Sequence, residues 1–522
     1  MQVFFFIFSL ILTLLFFVYG FNHYYLLNSA RNYHPPELPG DPEERPEVAI
    51  HLPVYNERYV VRRLLEGCIS MADAYGIDKV HIMVLDDSDD DTSREIDEIE
   101  KKYSGLNYKI EILRRNDRIG FKAGALQTGL EKTTEEYIVI FDADFIPAPD
   151  FLLRTIPYFL KDNQLGIVQS RWTHLNRDYN FLTRAIALGI DVHFFVEQTG
   201  RYAAGCFQNF NGSGGVLRKK AILQAGGWQA DTLAEDLDLS YRLQEQGYHI
   251  LFLKDLLSPG EVPPTLPSFK RQQARWACGS LRTSKKILPG LLRDPQVGVK
   301  QRVQAIVHLT GYMLHPMMVA SFIMTCIATL TGLNNTAITH LNGALPEKVD
   351  YILAGILPNI TLQNMIWVVL FPLIILCMVA PWMSSLTTLR SQSLSPARNL
   401  VTLLVLLLLG FGLSLSNTRE AAKALLTDRN WEFTRTPKYA NLQNQRDWRK
   451  KRYQESMDLF WIVELFFLLT GLLAIGFAIQ KSNFSVLWIL VPFVLGYAFI
   501  LLFTFLHNNR SHVTRLDPAT TK

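Results

Sequence analysis

The sequence predicts an α/β domain built on a mostly parallel sheet, joined to apolar helices long enough to cross a membrane. Three observations predict it. From Glu47 onward, short apolar runs alternate with helix-patterned segments, as in strands joined by crossover helices. Three of those runs deliver polar or acidic residues at their carboxyl ends, the edge where open α/β sheets bind ligands. Long apolar runs at the N-terminus and after Arg302 flank a middle of ordinary soluble composition.

Length and composition bound the answer. A chain of 522 residues with 49% hydrophobic content corresponds to two to four units. A net charge of +4 is too small to point to nucleic acid. Cys68, Cys206, Cys278, Cys326 and Cys377 are scattered without CxxC or ladder spacing, which argues against a zinc site or a disulfide framework and fits a reduced compartment.

Taken in order, residues 3–19 are nearly all apolar or aromatic, with no basic segment before them and no small-residue cleavage site after, so an uncleaved membrane anchor is expected. Residues 34–40 read as a linker. Residues 48–52 form a first strand running into Pro53-Val54-Tyr55-Asn56-Glu57, and residues 80–85 a second that ends in Asp86-Asp87-Ser88. Carboxylates there can accept hydrogen bonds from a nucleobase or ribose, whereas Asp89, Asp90 and Asp91 read as a solvated loop or helix cap. Residues 108–113 are a third strand, followed by a helix opening near Arg118. Residues 137–145 are the fourth, carrying Asp142 and Asp144. Alternation along an extended chain would bring both acids to one side, where a hard divalent cation binds oxygen ligands; two solvated turn acids are the alternative. Neither GxGxxG nor GxxxxGK[ST] is present.

Asn211-Gly212-Ser213-Gly214-Gly215 is a polar glycine turn, and Glu235, Asp236 and Asp238 lie in the first turn of a helix reaching about Gln246. First-turn acids ordinarily serve the helix dipole, which is the expectation for Glu235 and Asp238. Residues 269–276 have helical spacing with a basic face; on composition alone that is an amphipathic helix on a membrane surface.

The ordered set LPVYNE, LDDS, KAGAL, FDADF, NGSGG, AEDLDL and QQARW resembles the membrane-embedded processive synthases of glycosyltransferase family 2, in particular the cellulose-synthase-like mannan and glucomannan synthases and, more distantly, bacterial cellulose synthase. The resemblance covers residues 48–278 and resumes near Phe433. It implies a GT-A nucleotide-diphospho-sugar transferase fold and an inverting transfer that makes β-linkages. It further implies that Tyr55, Glu57, Asp86, Asp87, Lys122, Asp142, Gln272 and Arg275 hold the donor nucleotide and diphosphate. Asp142 and Asp144 would hold Mg²⁺ or Mn²⁺, and Asp236 would be the catalytic base. Asn211, Gly212, Ser213 and Trp276 would meet the acceptor. Ala234 stands where cellulose synthases have threonine, so any role of that hydroxyl is absent here. The implied partners are a nucleotide-diphospho-sugar such as GDP-mannose or UDP-glucose, a glycan acceptor, the lipid bilayer and accessory secretion subunits. The implied organisation is an anchor (1–30), a cytosolic GT-A domain ending in an interfacial amphipathic helix (31–300) and a transmembrane channel domain (301–522), in a bacterial inner or plasma membrane. A non-processive enzyme adding one sugar to a lipid is the alternative reading.

Residues 305–330, 365–382, 459–479 and 486–505 are expected spans, the first enclosing His308 and His315, each either a functional intramembrane group or a helix-bonded structural one. Residues 401–413 are apolar but too short, and basic residues on both flanks place them as an interfacial or re-entrant element. The following cytosolic segment (417–456) contains Phe433, Thr436 and Lys438 with the spacing of a cellulose-synthase gating loop. Arg435 replaces that loop's valine, and Pro437 stiffens it. Closure over donor would exclude water.

Overall fold

The computed structural model describes residues 2–332, 362–427, 438, 440 and 458–512. The chain divides into two compact units. One comprises Leu26–Thr310, Lys423–Glu455 and Arg510–Lys522, the other Met1–Tyr25, Gly311–Ala422 and Ser456–Asn509.

The first unit is organised by a seven-stranded sheet. Its strands are β1 (Val48–Val54), β2 (Val80–Asp86), β3 (Lys109–Arg114), β4 (Tyr137–Ile140), β5 (Leu165–His174), β6 (Gly215–Arg218) and β7 (His249–Gly260), in the spatial order β3-β2-β1-β4-β6-β5-β7. Parallel registers run Val48 opposite Val80, Val48 opposite Tyr137 and Ile82 opposite Ile110. β6 alone is reversed, antiparallel to both β4 and β5, while β5 and β7 are parallel. The mostly parallel sheet is therefore as expected, and the reversed strand was not read from the sequence.

Alternation explains why these runs are strands. Val48, Ile50, Leu52 and Val54 of β1 enter one core with Ile82 and Val84 of β2, against Leu64, Leu65 and Cys68 of helix Val61–Tyr75 and Ile96 and Ile99 of helix Thr92–Tyr103. Ala49, Met83, Leu85, Ile138 and Ile140 enter the opposite core, against Leu126 and Leu130 of helix Phe121–Lys132 and Leu239 and Leu243 of helix Glu235–Glu245. Both faces are covered, so the central strands read as continuous apolar runs. The one polar residue buried in β1, His51, is bonded through Nε2 to Thr133 Oγ1 at 2.7 Å, and burial lowers its pKa to about 3. It sits neutral in the core.

The linker after the anchor is irregular but docked: Tyr158 Oη donates to Pro36 O (3.1 Å), and Tyr33 Oη donates to Phe252 O (3.3 Å). Near the other boundary the structure corrects an expectation. Residues 305–330 are not one span, because helix Val299–Leu309 ends before a 3₁₀ turn at Gly311–Met313 and a new helix, Leu314–Leu330, follows. His308 thus belongs to the sheet-bearing unit, where its Nδ1 meets Tyr241 Oη at 2.8 Å and burial keeps the imidazole well below its ordinary pKa.

The second unit is helical. Among the described residues, five helices are long and apolar enough to cross a membrane: Ile7–Ala30, Gly311–Leu330, Pro372–Ser391, Trp461–Gln480 and Phe484–His507. Helices Leu400–Gly412 and Ser414–Leu426 meet at a 42° bend, as a broken span or a re-entrant pair would. Gly412 and Gly496 let two backbones pass in contact, since an added Cβ at Gly412 would lie 2.6 Å from Gly496 O. Polar contacts tie helices of this core together: Asn417 Nδ2 meets His315 Nε2 at 3.0 Å, and Ser414 Oγ meets Tyr497 Oη at 3.2 Å. His315 is thus bonded to a neighbouring helix, one of its two expected roles.

Candidate active site

The reversed strand explains how distant segments reach one place. β1, β2, β4, β5 and β7 all finish on the same edge, and β6, running backwards, begins there with Gly215 opposite Ile140. The glycine turn just before β6 is therefore delivered beside Asp142. Residues from these ends line a single cleft with the start of helix Glu235–Glu245 and helix Leu266–Leu291.

The two acids of the fourth strand do not lie on extended chain. β4 stops at Ile140, and Asp142 and Asp144 sit in a turn closed by Phe145 N donating to Asp142 O (3.1 Å). This corrects the expected alternation: the turn, not the pleat, aims both carboxylates at the cleft. Lys122 Nζ donates to Asp142 Oδ1 (2.6 Å) and to Gly212 O (2.9 Å). Asp144 Oδ2 accepts from Lys438 Nζ (2.5 Å) and from Glu261 N (3.1 Å). Each carboxylate thus already holds one cation through a single oxygen. Lys438, expected to lie in a loop that closes over donor, rests here on Asp144 itself. Phe433 and Thr436 lie outside the described residues.

Asp236 lies across the cleft at the second position of its helix. Burial pushes its pKa up to about 7, Glu235 pushes the same way, and the Lys122 ammonium pulls against both. Lys122 is held above its ordinary value, because Asp142, Glu235 and Asp236 together outweigh the burial that would lower it. Gly212 must be glycine: its φ is +81°, and a Cβ there would stand 2.7 Å from Asp236 Oδ2. Glu235, expected to serve the helix dipole, lines the cleft. Asp238, given the same role, is buried and pairs with Arg242 (2.6 Å) and Lys286 (3.0 Å).

At the β1–β2 end, Tyr55, Glu57 and Asp87 line the cleft. The Arg118 guanidinium stacks on the Tyr55 ring, 3.2 Å from its centroid, and Arg115 grips Asp87 with Nε (2.9 Å) and Nη2 (2.5 Å). Asp86 does not line the cleft. It is buried, with Oδ1 accepting from Ser88 N (3.0 Å) and Oδ2 from Ser93 Oγ (2.6 Å) and Arg114 Nε (2.9 Å), so it shapes the strand end. Ser213 is likewise one layer down, its Oγ accepting from Asp142 N at 2.9 Å.

Gln272, Arg275 and Trp276 enter from helix Leu266–Leu291, with Asn211 and Gly212 opposite. Burial lowers the Arg275 pKa, against the pull of Glu235, Asp142, Asp236 and Glu57, so the guanidinium faces four carboxylates. The basic face read as a membrane surface thus contributes Gln272 and Arg275 to the cleft. Trp172, His174 and Glu261, at the polar ends of β5 and β7, also line it, as does Arg118 ahead of helix Phe121–Lys132; the sequence reading gave none of the four a role.

A six-parallel, one-reversed sheet with its cleft at the carboxyl edge defines a GT-A-like glycosyltransferase fold. Residues 46–279 match the family described as glycosyltransferase like family 2. Glucomannan 4-beta-mannosyltransferase 2 of Arabidopsis thaliana is 38% identical over 267 residues, 50% of this chain and 49% of that protein. Probable glucomannan 4-beta-mannosyltransferase 9 of Oryza sativa subsp. japonica is 36% identical over 275 residues, 52% of each. The chain spans about half the length of the curated relatives it matches. A mannosyltransferase of Pyrobaculum calidifontis, solved with GDP-Man and Mn²⁺, aligns with a TM-score of 0.46 at 20% identity, over 70% of this chain and 97% of that one.

Proposed function

We propose that this protein is an inverting, membrane-bound hexosyltransferase that moves a hexose from a nucleotide-diphospho-sugar to a growing β-linked glycan. The observation that carries the reading is a single cleft in which Asp236, with its raised pKa, faces Arg275 and the Asp142/Asp144 pair. An acceptor hydroxyl is a poor nucleophile until a carboxylate takes its proton during attack, and a base with a pKa near neutral is suited to that transfer. Arg275 meets charge developing on the departing diphosphate. One displacement at the anomeric carbon inverts it, so an α-linked donor gives a β-linked product. The names of the relatives support a 4-β-mannosyl product, with GDP-mannose and UDP-glucose the donors to test.

Among the described residues no group of three His, Cys, Asp or Glu could hold a metal by itself. Asp142 and Asp144 nonetheless fit Mg²⁺ or Mn²⁺, since each already holds a lysine ammonium, and such ions take one or two carboxylates plus substrate phosphates. Such an ion would neutralise diphosphate charge as it develops. Tyr55, Glu57 and Asp87 bind the nucleoside end, with Asp86 and Arg115 orienting that edge. Lys122 and Gln272 serve the diphosphate, while Asn211, Gly212 and Trp276 meet the acceptor. The apolar helices form the membrane domain through which the product passes, and the cleft faces the cytosol.

Incubating membranes that contain the protein with radiolabelled GDP-mannose and UDP-glucose tests this reading. High-mass β-glycan is expected from one donor. Asp236→Asn should abolish transfer with nucleotide affinity nearly intact, whereas Asp144→Asn should weaken metal-dependent donor binding. Near-normal turnover in Asp236→Asn would remove the proposed base.

A further inference from the structure

The helix that follows β5 widens into a π-helical turn at His193–Gln198, closed by Thr199 Oγ1 donating to Phe194 O at 2.7 Å. Such turns are rare and cost regular pairing, and they are frequent at functional sites. Residues four apart share one face of the turn, and the His193 ring lies beside the Glu197 carboxylate, with Nδ1 and Oε2 3.1 Å apart. The other ring nitrogen, Nε2, lies 3.1 Å from Asn211 Oδ1.

Asn211 is held from several directions. Its Oδ1 also accepts from Asn209 Nδ2 (2.8 Å), and its backbone N–H donates to Gln169 Oε1 (2.9 Å). With Asn209 Nδ2 donating to Oδ1, that atom is the amide oxygen, so His193 Nε2–H donates to it while Nδ1–H donates to the Glu197 carboxylate, the ring carrying a hydrogen on each nitrogen. The Asn211 amide nitrogen makes only a 3.5 Å contact with Asn209 O, which leaves its hydrogens for a ligand. Asn211 lines the cleft, and the next residue is Gly212, where an added Cβ would stand 2.7 Å from Asp236 Oδ2. A hydroxyl-bearing ring held by this amide would therefore lie beside Asp236.

We propose that His193, oriented by Glu197 on the π-turn, is a positioning residue that fixes the Asn211 amide as a donor to a hydroxyl of the acceptor sugar. The assignment rests on the glycosyl-transfer reading of the cleft. It adds to that reading a pair of side chains outside every motif in the sequence. His193 touches neither donor nor reacting atoms, and its effect passes through Asn211.

The test uses the full-length protein in nanodiscs as wild type, His193→Phe and His193→Gln. Two affinities are measured by calorimetry, for β-1,4-mannohexaose and for the nucleoside diphosphate of the working donor, together with acceptor KM and kcat. His193→Phe should weaken mannohexaose binding and raise acceptor KM about tenfold, the effect of losing one oriented hydrogen bond. Nucleoside diphosphate affinity should stay within about twofold, and His193→Gln, which keeps an N–H donor, should recover most of the loss. A merely structural role would lower both affinities together and would not be rescued by glutamine. Unchanged mannohexaose affinity in His193→Phe, parallel loss of both affinities, or no mannohexaose binding by wild type would each overturn the proposal. If wild type binds mannohexaose in the expected variant-sensitive way yet transfers no sugar, the transfer reading falls and the subsite stands. If it transfers sugar and acceptor KM ignores His193, the reverse holds.

Discussion

Lys122→Met isolates the charge balance around Asp236. Lys122 is the ammonium that opposes Glu235 and burial at the proposed base. An alanine Cβ at 212 would stand 2.7 Å from Asp236 Oδ2 and 3.3 Å from Lys122 Nζ, so ammonium and carboxylate are at most about 6 Å apart. At an effective dielectric constant of about 20, opposite charges at that distance attract by roughly 3 kcal/mol. One pKa unit corresponds to about 1.4 kcal/mol, so removing the ammonium should raise Asp236 by about two units. A base accepts a proton only when ionised, and activity therefore climbs as pH passes its pKa. In the wild type, kcat/KM should climb through a pH near 7, the value to which Asp236 is raised. In Lys122→Met the climb should move to about pH 9, with the plateau lowered by weaker donor binding. Lys122→Arg, which keeps the charge, should stay close to wild type. The assay is the pH profile of sugar transfer at saturating divalent cation, with folding checked by thermal unfolding. If Lys122→Met turns over donor with its acid limb within about half a unit of wild type, Lys122 does not set the base and the electrostatic argument fails.

Three further outcomes are expected. Gly212→Ala forces a side chain into a left-handed position against Asp236 and should cut transfer about a hundredfold, read as kcat at saturating donor, and lower stability by about 1–2 kcal/mol, read by thermal unfolding. Lys438→Ala frees Asp144 Oδ2 of its 2.5 Å ammonium contact and should tighten Mn²⁺ binding several-fold without donor, measured by electron paramagnetic resonance titration; unchanged or weaker binding would show that the ammonium does not compete. Phe322→Ala removes a buried ring packed on Phe493 (5.1 Å), Tyr497 (5.5 Å) and Phe467 (5.9 Å), and should destabilise the helical unit by about 3–5 kcal/mol, seen as a lower transition temperature in detergent with the sheet-bearing unit's transition unmoved.

By itself, the sequence determined the local order of this protein. The β-branched runs at residues 48–52, 80–85 and 137–140 became central strands, because a sheet covered on both faces demands continuous apolar chain. The long apolar segments became membrane-length helices, and residues 401–413 became one arm of a bent pair, because span length follows directly from helical rise. Motif order likewise led to the cleft, and Tyr55, Glu57, Asp87, Lys122, Asp142, Asp144, Asn211, Gly212, Asp236, Gln272, Arg275 and Trp276 all line it. What only the tertiary structure decided depends on contacts between residues far apart in the chain. Asp86 and Asp87 are neighbours with identical side chains, yet the pleat turns one toward Arg114 and the other toward the cleft. Glu235 and Asp238 share one helical turn, but Lys286, 48 residues beyond Asp238, holds the latter in the interior. His308 read as intramembrane because it adjoins an apolar run, until a 3₁₀ turn at Gly311 separated it from the span. The approach of Lys438 to Asp144, across 294 residues, and of His193 to Asn211, through a reversed strand, leaves no local pattern. Periodicity records which face of a segment is buried; which partner it meets there is set by how the sheet is wound.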